Sequence, residues 1–78
     1  NIIDQPDYRK AFKDFKALVQ QVSERSGLSP ELLASRRQIN QLLSWHWQLK
    51  PRERLPELLA GWRGELMAEE ITQLLANY

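Results

Sequence analysis

Ten of the eleven basic side chains of this 78-residue chain lie within residues 1–54, and their spacing is the first pattern with chemical content. Arg9, Lys13 and Lys16 are separated by four and three residues, with Lys10 flanking them. That spacing lines up one stripe along a helix. Arg36 and Arg37 are adjacent, and Lys50, Arg52 and Arg54 form a third group. A row of cations can neutralise the phosphates of a nucleic acid, and the same row also makes an ordinary solvated helix face. The net charge of +1 conceals an asymmetry: residues 1–54 carry ten basic and six acidic groups, and residues 55–78 carry one and four. Uneven charge of this kind is one mark of a nucleic-acid surface.

The residue types needed for catalysis are sparse. General acid–base and nucleophilic mechanisms require groups that activate one another. The one histidine, His46, stands between Trp45 and Trp47 near the end of a helical stretch, where a cation is favoured by the helix dipole. Its reading is a cap or surface residue. One histidine without cysteines gives no converging metal ligands. Glu69 and Glu70 are adjacent, so their side chains diverge on a helix, and they suit the positive first turn of a last helix. Glu65 and Glu69, four apart, have the spacing to share a hard cation. No glycine-rich phosphate loop is present. No catalytic residue, metal ligand or cofactor is therefore expected in this chain. The absence of cysteine also excludes a disulfide scaffold and fits a reducing compartment.

Helices must position these groups. Tyr8, Phe12, Phe15, Val19 and Val22 recur at helical spacing. Asp4 or Asp7 can cap this first helix and Gly27 can end it, giving about residues 7–26. Ser29-Pro30-Glu31 starts a helix of one or two turns. Ser35-Arg36-Arg37-Gln38 has the form of a capping box and opens a helix over about 36–47, with Ile39, Leu42, Leu43 and Trp47 on one face. Residues 48–54 read as a loop. A fourth helix starts at Leu55-Pro56-Glu57 and stops near Gly61. Trp62 to Met67 adds a turn or two that Gly64 is expected to break, and residues 68–77 form the last helix with Ile71, Leu74 and Leu75 inward. Trp47 and Trp62 suit a core. Trp45 falls off the apolar stripe; it either packs within the domain, stacks on a base, or docks on a neighbouring domain. Basic residues at a helix start are disfavoured by the dipole, so Arg36 and Arg37 call for a partner, either an intramolecular carboxylate such as Glu31 or a phosphate.

Two blocks carry a resemblance. Glu31-Leu32-Leu33-Ala34-Ser35-Arg36-Arg37-Gln38-Ile39 and Leu55-Pro56-Glu57-Leu58-Leu59-Ala60-Gly61-Trp62-Arg63-Gly64-Glu65-Leu66 resemble the C-terminal, second HRDC (helicase and ribonuclease D C-terminal) domain of bacterial ribonuclease D. The likeness spans nearly the whole chain, and neither block is a catalytic signature. The resemblance implies an all-α, compact five-helix bundle of short helices, one domain over residues 1–78. A chain that starts at Asn1 is then expected to be a piece from the C-terminal end of a longer exoribonuclease.

The resemblance further implies a parent enzyme that hydrolyses RNA from its 3′ end with divalent metal, including the trailing ends of tRNA precursors. The metal would belong to a catalytic domain absent from this chain. It implies a cytoplasmic setting, and no apolar run approaches the ~18 residues of a membrane span. The expected role is an accessory RNA-binding domain that contacts the backbone by shape and charge through Arg9, Lys13, Lys16, Arg36, Arg37, Lys50, Arg52 and Arg54. The alternative is a structural domain that docks on the catalytic or preceding HRDC domain, with Trp45 as the docking or stacking candidate.

Overall fold

Local start and stop signals set most helix boundaries in the computed structural model, which describes residues 2–49 and 55–78. After a 3-10 turn at Ile2–Asp4, helix α1 runs Tyr8–Ser26. Asp7 occupies its N-cap position without a side-chain cap hydrogen bond. The helix ends on Gly27, whose φ of 78° is left-handed and whose N–H donates to the Ser23 carbonyl at 2.9 Å. Helix α2, Pro30–Leu33, is a single turn, with the Ser29 hydroxyl accepting from the Leu32 N–H. Helix α3, Arg36–His46, opens with the capping box: Gln38 N–H donates to Ser35 Oγ at 3.2 Å, and Ser35 N–H donates to Gln38 Oε1 at 2.9 Å. Ser35→Ala is expected to cost ~1 kcal/mol. In a domain of this size that lowers the melting temperature by roughly 4–8 °C, which thermal unfolding by circular dichroism checks.

The C-terminal third differs from the expectation. The stretch from Leu55 forms only a 3-10 turn, Glu57–Leu59, and residues from Gly61 to Leu75 form one continuous helix, α4. The five-helix count is thereby corrected. The described residues contain three helices of eleven residues or more, the single turn α2 and two 3-10 turns, with no strand. The stop expected near Gly61 is present, since the 3-10 turn ends at Leu59, and the φ of 59° at Gly61 makes the corner that leads into α4. Gly64, expected to break the helix, is buried inside α4. A Cβ there would lie 2.6 Å from the Leu59 carbonyl carbon, and nearer still to its oxygen. The glycine lets the first turn of α4 sit directly on the 3-10 turn.

The core joins all these elements. Phe15 and Val22 of α1, Leu33 of α2, Leu42 and Leu43 of α3, Leu58 of the 3-10 turn, and Met67 and Ile71 of α4 are almost fully enclosed. Each such side chain contributes ~1.5–3 kcal/mol relative to exposure. On α1 the buried row is Tyr8, Ala11, Phe15, Val19 and Val22, so Ala11 takes the place expected for Phe12, which lies half-buried at the edge of the stripe. No helix of the described residues is long and apolar enough to cross a membrane.

The C-terminal residue ties three elements together. The Tyr78 hydroxyl donates to the Asp14 carboxylate on α1. Trp47, after α3, donates its indole N–H to the Tyr78 carbonyl at 3.4 Å. Lys10 lies 5.4 Å from the Tyr78 ring centre. The Tyr78 phenol is pushed up to about 12, first by the bond to Asp14, then by burial and by the charges of Asp14 and Asp7. An unfolded tyrosine titrates near ~10, so this contribution to stability is full below that pH and is lost as pH rises through the folded value. Denaturant midpoints between pH 9 and 12 are expected to fall in the natural chain, and Tyr78→Phe is expected to lack that part of the slope.

Candidate nucleic-acid interface

The antiparallel packing of α1 and α3 decides which cations meet. Tyr8 Oη donates to Asn40 Oδ1 at 2.9 Å. One turn farther along α1, and one turn back along α3, the Arg36 guanidinium lies 5.6 Å from the Phe12 ring centre. Lys16, on the next turn of α1, places its Nζ 5.9 Å from the same ring. Phe12 therefore gathers one cation from each helix, an attraction between positive charge and ring quadrupole. Arg9 and Lys13 stand beside Lys16 on the exposed side of α1. No carboxylate of the described residues pairs with Arg9, Lys13, Lys16 or Arg36.

The other described cations are engaged within the domain. Arg37 points away from Arg36: its Nη2 donates to Glu57 Oε2 at 3.1 Å, and Gln38 Nε2 donates to the same oxygen at 2.9 Å. The Glu57 N–H donates to Gln41 Oε1, so α3 holds the 3-10 turn by three bonds. The Glu57 carboxyl is held below its ordinary value chiefly by the Gln38 amide, which burial opposes, and further by the charge and hydrogen bond of Arg37 and the charge of Arg63. Arg37 thus has the intramolecular carboxylate that its position at a helix start calls for, and that carboxylate is Glu57. Arg25 pairs with Glu70 at 2.7 Å. Arg63 donates to the carbonyls of Leu33 and Leu32 at 3.1 and 3.0 Å. Lys50, Arg52 and Arg54 lie outside the described residues.

The tryptophans and acids are redistributed relative to expectation. Trp45, the candidate for stacking or docking, is half-buried and packs against the core, as does Trp47. Trp62, expected inside, is 44% exposed. Because α4 starts at Gly61, Trp62 falls in its first turn and projects outward. Glu69 and Glu70 lie in the middle of α4 and not at a helix start, so the dipole role expected for them does not apply. No group of three His, Cys, Asp or Glu among the described residues could hold a metal ion. An open groove between α1 and α4, lined by Asp14, Leu18, Gln21, Glu70, Gln73 and Asn77, carries two carboxylates and is unsuited to phosphate.

Sequence spacing identified the stripe on α1 but missed Phe12 as its organising ring. The signal available was the Phe12–Lys16 pair at i,i+4; the approach of Arg36 depends on how two helices cross.

Comparison with known proteins gives a consistent result. Residues 6–71 match the family described as ribonuclease D, C-terminal HRDC domain. Ribonuclease D of Musicola paradisiaca is 65% identical over all 78 residues, and that of Escherichia coli K12 is 64% identical over the same span. Ribonuclease D of a Shewanella species is 38% identical over 69 residues. The crystal structure of Escherichia coli RNase D, described as an exoribonuclease involved in structured RNA processing, superposes on the whole chain with a TM-score of 0.97 at 64% identity. The chain spans about a fifth of these relatives, 21% of the Escherichia coli protein and 18% of the Shewanella one.

Proposed function

The chain belongs to the family of the C-terminal HRDC domain of ribonuclease D, and from that premise we propose that it is an accessory RNA-binding domain, not itself catalytic. Its contact surface is the α1/α3 face around Phe12. The observation that carries this reading is the sorting of the described cations. Arg25 and Arg37 are paired with carboxylates, Arg63 with carbonyls, and Lys10 lies on the Tyr78 ring. Arg9, Lys13, Lys16 and Arg36 have no carboxylate or carbonyl partner among the described residues and belong to one face, where Lys16 and Arg36 share the Phe12 ring as Lys10 lies on that of Tyr78. Such a face binds phosphates through charge and does not read bases. Four contacts and a nearly balanced net charge give weak affinity at physiological salt. The domain would therefore help to hold RNA on a larger enzyme without capturing it alone.

The RNA best suited to this reading is a structured one with a 3′ extension, such as a tRNA precursor, because the Escherichia coli relative is described as processing structured RNA. Arg37, although among the candidate contacts, is assigned to the Glu57 pair. The test is an amide-shift titration of the isotopically labelled chain with a tRNA that carries an extended 3′ end. Shifts confined to Arg9, Lys13, Lys16, Arg36 and their neighbours support the reading. Shifts centred on α4, or none at low salt, contradict it. A second reading, docking on the rest of a longer polypeptide, is favoured by one observation, the exposure of Trp62.

A further inference from the structure

We propose that Trp62, with Leu32 and the Arg63 that joins them, forms a docking plate for an apolar, cation-rimmed surface of the remaining ribonuclease D polypeptide. This inference rests on the docking reading and names its surface and the chemistry of its partner. Trp62 and Leu32 are 44% and 49% exposed and come from different elements, α4 and α2. Arg63 binds them into one unit. Its Nε and Nη2 donate to the Leu33 and Leu32 carbonyls at 3.1 and 3.0 Å, and its guanidinium carbon lies 4.4 Å from the Trp62 ring centre.

An exposed tryptophan braced by an anchored cation loses little freedom when a partner covers it. Large, pre-positioned aromatic side chains of this sort act as anchors of protein interfaces. The charge around the plate selects the occupant. Glu65 and Glu69 stand three and seven residues beyond Trp62, on its side of α4, and Glu31 precedes Leu32; all three are exposed. This rim repels a phosphate backbone and suits a surface edged with lysine or arginine. The partner is at hand in the relatives: the solved Escherichia coli protein continues over about four-fifths of its chain outside the region matched here.

The test grafts this chain into Escherichia coli ribonuclease D in place of its 64%-identical segment and measures oxidative labelling of Trp62 by mass spectrometry, with the 78-residue chain as reference. The expected result is a fall in Trp62 labelling of about fivefold or more on grafting, as when a nearly half-exposed ring is enclosed in an interface core. Labelling of Trp62 that is equal in both settings overturns the proposal. If other residues of the domain are protected while Trp62 is not, docking stands but through another face. If nothing is protected, the docking reading fails as well. Protection of Trp62 in the 78-residue chain by added RNA, or by raising its own concentration, would assign the plate to RNA or to self-association and overturn the proposal. The variant Trp62→Ala is expected to speed proteolytic release of the grafted domain; an unchanged rate counts against the plate.

Discussion

Replacing Lys16 and Arg36 together by glutamate is expected to weaken RNA binding at least about tenfold, because a hydrogen bond to a charged group is worth ~1.5 kcal/mol or more and ~1.4 kcal/mol is a factor of ten. The two residues come from different helices and meet only at Phe12. Their joint reversal therefore removes the centre of the face while Arg9 and Lys13 remain. Salt dependence provides a second, independent readout. Each phosphate contact on a single strand contributes about 0.7 to the slope of log affinity against log salt, so loss of two contacts should flatten it by about 1.4. The domain should stay folded, since both side chains are exposed and each cation–ring contact is worth only ~0.5–1 kcal/mol. Arg37→Glu is the discriminating control. It breaks the pair with Glu57, and its effect should fall on stability and not on the salt slope. Equal losses of RNA affinity from Arg37→Glu and from the double variant would dissolve the distinction between the two arginines.

Gly64→Ala is expected to destabilise the domain by about 1–3 kcal/mol, the usual cost of forcing extra volume into a packed site. The sign is informative because helix propensity alone predicts the reverse, a gain of about 1 kcal/mol on replacing an interior glycine by alanine. The methyl group would run into the backbone carbonyl of Leu59, not into the end of a flexible side chain. Relief would require the 3-10 turn to move. That turn is held by Glu57 through Arg37, Gln38 and Gln41, and by the fully enclosed Leu58. At roughly 4–8 °C per kcal/mol for a domain of this size, thermal unfolding resolves the effect. A neutral or stabilising result would mean that α4 does not approach the turn as closely as described.

These residues also show what was legible in the sequence. Signals whose partners lie within a few residues read correctly: Gly27 as a left-handed stop, Ser29-Pro30 as a start, and the reciprocal Ser35–Gln38 box. Signals that depend on a crossing element did not. A glycine that ends a helix and one that admits a neighbouring backbone are the same letter, so Gly64 suggested a break where α4 runs on. Trp62, in the first turn of α4, lies at the surface and not in the expected core, while Trp45 packs against the core.

The candidate interface followed the same rule. The stripe Arg9–Lys13–Lys16 was visible because helical periodicity creates it. The divergence of Arg36 from Arg37 was not, because the carboxylate that claims Arg37 lies twenty residues away at Glu57 and not at nearby Glu31. Periodicity also placed Phe12 in the buried row that Ala11 occupies, and so concealed the ring that collects Lys16 and Arg36.

The claim that this domain contributes a phosphate-binding face is tested most directly by titrating the 78-residue chain with a tRNA bearing an extended 3′ end across a series of salt concentrations. Saturable binding whose logarithm falls linearly with log salt, with a slope near the 2.8 expected for about four single-strand contacts, is the predicted result. Binding that is indifferent to salt, or absent at the lowest salt, would contradict it.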